Sequence, residues 1–264
     1  MKYLLLFACF LLPLSASVYY AKVEPVQKYS IKANATGKVL DVLEKNEGKI
    51  SQGKILIHID DFLNKSELKT SISNLASLEK TLKLTRKNLK NSQEVAKIRQ
   101  NNYNRIKDLK TKSRVEKDNE LISLISAQNQ VISLENSLQN LLVSISDLKY
   151  KIISLKDTIK NKSIRVHKGY LVYAINVKKG DYVNVGTSLV DAYDVSKGKL
   201  TIYLSKEDVV LAKSGKMFLN GKESNIKIDK IWDVADKENI SAYKAEILIP
   251  APKRFSNLVK VEFK

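Results

Sequence analysis

From Lys54 to Lys168 the chain contains no Gly and no Pro. Turns in compact domains recruit those two residues, so a stretch of this length without them reads as mostly helix. Its apolar residues are regularly spaced. Leu124, Ala127, Val131, Leu134, Leu138, Leu141, Ile145, Leu148, Ile152, Leu155 and Ile159 alternate steps of three and four, a heptad seam held for about five repeats. Upstream, Leu68, Leu75, Leu82, Leu89, Ala96 and Tyr103 recur every seven residues, and the other seam position there is often polar. The upstream helix is therefore the weaker partner.

Between the two series stands "LKTKSRVEKDNE". Ser113 and Glu116 form S-x-x-E, the capping box in which each side chain satisfies a free backbone N–H at a helix start. A helix restarts near Arg114, which leaves two arms of nearly equal length, about 62–110 and 114–160. At 1.5 Å per residue each arm spans roughly 70 Å. Burying a seam side chain contributes about 1.5–3 kcal/mol, enough in sum to hold a long rod despite many Ser and Asn. An intermolecular two-stranded coil would use the same heptads. Near-symmetry about a capped turn favours an antiparallel hairpin within one chain.

Two short segments flank this stretch, "GKVLDVLEKNEG" at 37–48 and "GYLVYAINVKKG" at 169–180. Each is bounded by Gly at the same separation and carries apolar pairs at the same offsets. Each runs on into another Gly and an apolar strand, "GKISQGKILIHID" and "GDYVNVGTSLVDA". Alternating Val, Ile and Leu between Gly-containing turns read as short strands. Neither copy, at about 25 residues, buries a core alone. Together they make two pseudo-symmetric halves of a small flattened barrel, with the helical hairpin inserted where one half crosses to the other. From about Lys199 the chain reads as further short strands, through "KLTIYLSKEDVVLAKSGK", "NGKESNIKIDKIWDV" and "ISAYKAEILIPAP", with Asn220-Gly221 as a two-residue hairpin turn. An early strand around Val23–Ile31 runs beside these or into the first barrel.

The segments "ANATGKVLDVLEKNEGKISQGKILIHIDD" and "IRVHKGYLVYAINVKKGDYVNVGTSLVDA" resemble the biotinyl/lipoyl domain. Split around a helical hairpin, they resemble the periplasmic adaptor (membrane fusion protein, HlyD-type) family of tripartite efflux and secretion systems. The second copy matches that family's G-D-x-V-x-x-G turn, while the first is one residue short between Gly48 and Gly53. The resemblance implies an α+β fold: a long antiparallel coiled-coil α-hairpin inserted in a split lipoyl/biotinyl-like β domain, followed by an antiparallel β-barrel domain. It divides the chain into a signal peptide (1–17), an N-terminal strand (18–32), lipoyl-like halves (33–61 and 164–195), the hairpin (62–163, tip about 110–114) and the barrel (196–264).

A true lipoyl or biotin carrier presents a Lys between the halves. Here Asp60 and Asp61 lead straight into the helix, so no swinging-arm cofactor has an attachment point. Family members that dock onto outer-membrane ducts of the TolC type carry R-x3-L-x6-S across the hairpin tip. Arg105 and Leu109 match that spacing, Glu116 occupies the Ser position, and the capping Ser113 lies three residues before it, next to Lys112. The resemblance thus implies a non-enzymatic adaptor in the periplasm of a Gram-negative bacterium, associated with the inner membrane through its pump. Its partners would be an inner-membrane transporter, a TolC-type channel, and further copies of itself in a ring of trimer-to-hexamer size. A resistance-nodulation-division pump is the first choice, given the compact barrel and leader. An ABC exporter or type I secretion system is the alternative, and a secreted structural coiled coil unconnected with transport is another.

Composition bears on where this chain works. "MKYLLLFACFLLPLSAS" has one Lys, an apolar run of about a dozen residues and then small residues, the layout of a secretory signal, with Ser15 and Ser17 sized for the −3 and −1 pockets of signal peptidase. An uncleaved anchor is the alternative, although the run is shorter than the ~20 residues a span needs. The one cysteine, Cys9, lies in this run, so removal of the leader leaves no thiol for disulfides or metal. Net charge is +18, and residues 80–117 carry thirteen Lys or Arg against three acids. Such density suits phosphate contacts, but it lies on a coiled-coil face without interleaved aromatics and behind an export signal. An acidic protein partner therefore fits better than nucleic acid. P-loop and G-x-S-x-G signatures are absent from the sequence. His58 and His167 read as strand-face residues beside the barrel halves; with Asp60 they are the only candidates for a metal, and a weak set.

Overall fold

The computed structural model describes residues 17–235, 239 and 241–264. The leader reading therefore falls outside the described residues except at Ser17. Two compact units are present, one of residues up to 33, 39–58 and 164–264, the other of residues 34–38 and 59–163.

The first unit is built of β-strands. In chain order these are β1 (Val18–Lys22), β2 (Glu24–Lys32), β3 (Gly37–Val42), β4 (Ile55–Ile59), β5 (Ser163–Arg165), β6 (Leu171–Ile175), β7 (Tyr182–Val183), β8 (Ser188–Leu204), β9 (Met217–Leu219), β10 (Lys222–Ser224), β11 (Ile228–Ala235), β12 (Tyr243–Pro250) and β13 (Leu258–Phe263). The strand order β5-β4-β3-β7 sets two strands that precede the helical stretch, β4 and β3, between two that follow it, β5 and β7. Backbone hydrogen bonds seal the join. The Val39 N–H donates to Asp181 O (2.8 Å) and Gly180 N–H to Val39 O (2.9 Å); Gly48 N–H donates to Val172 O (2.8 Å) and Ser51 N–H to Tyr170 O (2.7 Å). Val39, Leu56, Ile57, Val166, Val172, Val183, Leu189 and Val190 are all buried beneath this ladder. The shorter first copy uses the same turn conformation as the second: Gly48, Gly53, Gly180 and Gly186 all have φ between 74° and 99°, where a Cβ would be strained.

Two further sheets follow the orders β1-β13-β9-β10 and β11-β12-β8-β2, with β6 also pairing β8. Leu200, Ile202, Leu204, Ala245, Ile247, Val261 and Phe263 share their core with Ala21 and Val23 from the N-terminal strands. The early strand expected around Val23–Ile31 is β2, paired with β8, and a further strand, β1, precedes it and pairs with β13. Asn220 (φ 52°) and Gly221 (φ 79°) form the turn between β9 and β10.

One segment read as strand is helix. "KEDVVLAKS" forms α3 (Lys206–Ser214). Ser205 caps it by accepting from the Asp208 N–H at 3.1 Å, and Glu207, Asp208 and Lys213 complement the helix dipole at its two ends. Cap and charge order outweigh the β-propensity of Val209 and Val210. His167 also departs from expectation. It lies in the loop after β5, with its Nδ1 2.8 Å from Lys168 O and its ring tilted against Tyr170. His58 is on β4. Among the described residues no group of three or more His, Cys, Asp or Glu is placed to hold a metal, and no helix is long and apolar enough to cross a membrane.

The second unit is two long antiparallel helices, α1 (Phe62–Ile106) and α2 (Arg114–Asn161); α1 stops about a turn earlier than the expected position 110. Every apolar seam residue of α2 is covered to some degree, with Leu124, Ile145, Ile152 and Leu155 buried. On α1 the heptad series is half-buried, and its second seam position is polar at Ser71, Thr85 and Ser92. Cross-helix ion pairs Arg99–Glu120 (3.5 Å), Glu79–Lys149 (3.5 Å) and Glu67–Lys151 (2.7 Å) report the antiparallel register. At the open end the Ile59 N–H donates to Lys162 O (2.8 Å), and the buried Lys162 Nζ donates to Asp60 O (2.6 Å) and Asn64 Oδ1 (2.8 Å), which ties the two helix ends together.

Two substitutions test these packings. Gly198 on β8 has no room for a side chain, since a Cβ there would stand 2.7 Å from Val23 Cγ1 and 2.8 Å from Ile249 Cγ1. Gly198→Ala is expected to lower urea-melt stability by about 1–3 kcal/mol. Leu124→Ala, at a buried seam position, is expected to cost about 2–5 kcal/mol, read as early loss of helical circular dichroism.

Candidate docking site at the helical turn

Arg105 lies in the last turn of α1 and is exposed. The helix is extended one step by the Lys107 N–H donating to Tyr103 O (2.9 Å), and Leu109 N–H then donates to Ile106 O (3.1 Å) as the chain reverses. Leu109 is 45% exposed. Ser113 is the N-cap of α2, with extended backbone (φ −64°, ψ 156°).

The capping box is complete. The Glu116 N–H donates to Ser113 Oγ (3.3 Å), while Ser113 N–H and Oγ both donate to Glu116 Oε2 (2.9 and 3.0 Å). Lys112 Nζ reaches the other carboxylate oxygen at 3.0 Å. The backbone hydrogen bond from Ser113, then the Lys112 and Ser113 side chains, pull the Glu116 carboxyl from its ordinary 4.5 down to about 2. The residue that replaces the resemblance's Ser is therefore a carboxylate committed to holding the turn.

No family model matches this chain, and no curated protein matches it. Solved structures do. MacA from Actinobacillus actinomycetemcomitans aligns over 94% of this chain and 78% of its own at 18% identity, with a TM-score of 0.66. The membrane fusion protein Spr0693 from Streptococcus pneumoniae R6 aligns over 94% and 98% at 12% identity, with a TM-score of 0.65. A MacA–MexA chimera containing the Pseudomonas aeruginosa MexA α-hairpin domain aligns over 94% and 81% at 15% identity, with a TM-score of 0.58. This chain has the membrane fusion protein fold.

In this membrane fusion protein fold the helical turn carries an open cleft of about 460 Å³. Arg105, Lys112 and Glu116 line it, and Ser113 holds Glu116 in place. Leu109 does not line the cleft. Sequence reasoning missed the five other lining residues, Asn102, Ile106, Asn119, Glu120 and Ser123. Glu120 pairs with Arg99 at 3.5 Å. A signal for that pair was available, because the two stand almost equally far from the turn and an antiparallel register brings such residues opposite each other. The cleft offers two cations, two carboxylates that are both ion-paired, two amides and the Ser123 hydroxyl, a set suited to polar recognition.

Ser113→Ala removes the hydroxyl of the cap and is expected to loosen the first turn of α2 by about 1 kcal/mol. Hydrogen exchange of the amides at 114–117 should rise about fivefold while the seam amides hold. Glu116 has a depressed folded-state pKa, so its stabilisation is complete above about 4.5 and is lost as pH falls through about 2. Protection factors at the turn, corrected for the intrinsic pH dependence of amide exchange, should therefore fall below about pH 3 in the parent and stay nearly constant there in Glu116→Gln.

Proposed function

We propose that this chain is the non-enzymatic periplasmic adaptor of a tripartite efflux pump. It links an inner-membrane transporter, a resistance-nodulation-division pump first, to a TolC-type outer-membrane channel, and works as a ring of copies. In this reading residues 33–61 and 164–195 form a lipoyl-like domain without carrier chemistry, residues 196–264 a barrel domain, and the helices a coiled-coil hairpin. One observation carries it: two β segments more than a hundred residues apart share one sheet, and the chain between them is a helical hairpin. Fold likeness to MacA and to the membrane fusion protein Spr0693 supports the same assignment. Energy comes from the pump, since the sequence has no P-loop.

The docking surface is the turn, with Arg105, Leu109 and Lys112 facing the channel and Ser113 with Glu116 fixing the backbone that presents them. Cations dominate this end of the hairpin, which suits an acidic channel mouth. A photo-crosslinker at position 112 is expected to capture an outer-membrane channel in cells. Arg105→Glu combined with Lys110→Glu should reduce that capture about tenfold or more, and loss of the gene should sensitise cells to hydrophobic drugs, bile salts or dyes. Unchanged capture by the charge-reversed protein would remove the docking role from these residues.

A further inference from the structure

Asp208, at the start of α3, is buried, and among the described residues no cation pairs with it. Its Oδ2 accepts from Tyr19 Oη and from Ser205 Oγ (3.0 Å), and its Oδ1 accepts from Ser17 Oγ at 2.8 Å. Tyr19 and Ser17 alternate along the N-terminal strand, so both reach the same carboxylate. Burial, then the hydrogen bond to Asp208, pushes the Tyr19 phenol up to about 12. Burial alone would raise the Asp208 carboxyl, yet the hydrogen bonds from Tyr19, Ser17 and Ser205 hold it below its ordinary value, so a full negative charge is kept inside the fold.

A leader cut after Ser17, the site that small residues at 15 and 17 suggest, would discard the donor to Oδ1. A buried acceptor would lose its partner at a desolvation cost. A cut one residue earlier keeps it, with the small Ala16 at −1 and uncharged Leu14 at −3. We propose that the leader is cleaved between Ala16 and Ser17, and that the new α-ammonium of Ser17 joins its own hydroxyl on the Asp208 carboxylate. Water adds across the amide: the Ala16 carbonyl carbon takes the hydroxyl and leaves as a carboxylate, while the Ser17 nitrogen takes the proton and ionises. In two of the three staggered χ1 rotamers of Ser the α-nitrogen is gauche to Oγ, within about 3 Å of it. The atom freed by processing thus belongs to the residue whose hydroxyl already sits 2.8 Å from the Asp208 carboxylate. With an ordinary pKa of about 7.7–8.0, the α-amine is charged at pH 7. Export thus creates the cation that fastens the first strand to α3.

Intact-mass measurement of the protein recovered from the periplasm is expected to place Ser17 first. A chain beginning at Val18 overturns the site; a chain that keeps its leader, as an uncleaved anchor would, overturns the processing and leaves the periplasmic reading standing. The ion pair is tested apart from export, on purified protein released from a fusion partner so that it begins at Ser17 or at a Gly-Gly extension before it. The extension should lower Tm by about 2 °C or more in the parent and leave Tm nearly unchanged in Asp208→Asn. No drop in the parent, or an equal drop in both backgrounds, overturns the pairing.

Discussion

Backbone hydrogen bonds between residues 39–51 and residues 169–181 join the two β segments, and the rest of the architecture depends on them. They are individually modest, about 0.5–1.5 kcal/mol net each, and they join parts of the chain far apart in sequence. Closing so long a loop costs entropy that grows with the logarithm of its length. The hairpin reduces that cost. Once α1 and α2 zip along their seam, the Ile59–Lys162 bond and the Lys162 ammonium bring the two ends of the insertion together. The long insertion then behaves as a short connection, and each β half finds the other at high effective concentration. This gives the heptads a second role: the seam that makes the hairpin stiff also makes the split sheet affordable.

Chemistry at the turn has the same economy. A capping box serves a helix start, and here its Glu116 carboxylate also holds the neighbouring Lys112 ammonium. The Lys and Arg of residues 80–117, thirteen against three acids, sit mainly on α1. From Leu121 to Ser146, α2 carries Glu135 as its sole charge. The hairpin thus has a basic helix and a nearly neutral one. Under the proposed function, long-range attraction belongs to the first and close packing to the second, and salt would slow the approach more than it loosens the docked state.

Much of this was legible because periodicity is written in the sequence. Eleven seam residues of α2 fix one face of a helix with little dependence on context, and paired glycines mark turns where a side chain would be strained. The failures occur where short-range signals compete. α3 was read as strand because Val209 and Val210 outweighed a cap whose acid, Asp208, also serves as a buried acceptor for the N-terminal strand. The break at Val23 between β1 and β2 is marked only by Pro25, and it follows from which partner each part finds, β13 or β8. His167 was placed on a strand by its apolar neighbours, but its ring lies against Tyr170 in a loop. At the turn, Asn102 and Asn119 carried no spacing signal, because a polar residue on an exposed helix face is ordinary until the opposing helix is placed beside it.

β8 runs without interruption from Ser188 to Leu204. Its first part pairs with β6 and β2, and its second with β12, so buried residues such as Leu189 and Val190 and those of the second core, Leu200, Ile202 and Leu204, hang on one strand. Modules joined by a loop swivel freely by default. Here a twist applied to one end must shear rows of interstrand hydrogen bonds before the other end can lag behind, which makes the strand a torsion bar where a linker would have been a swivel.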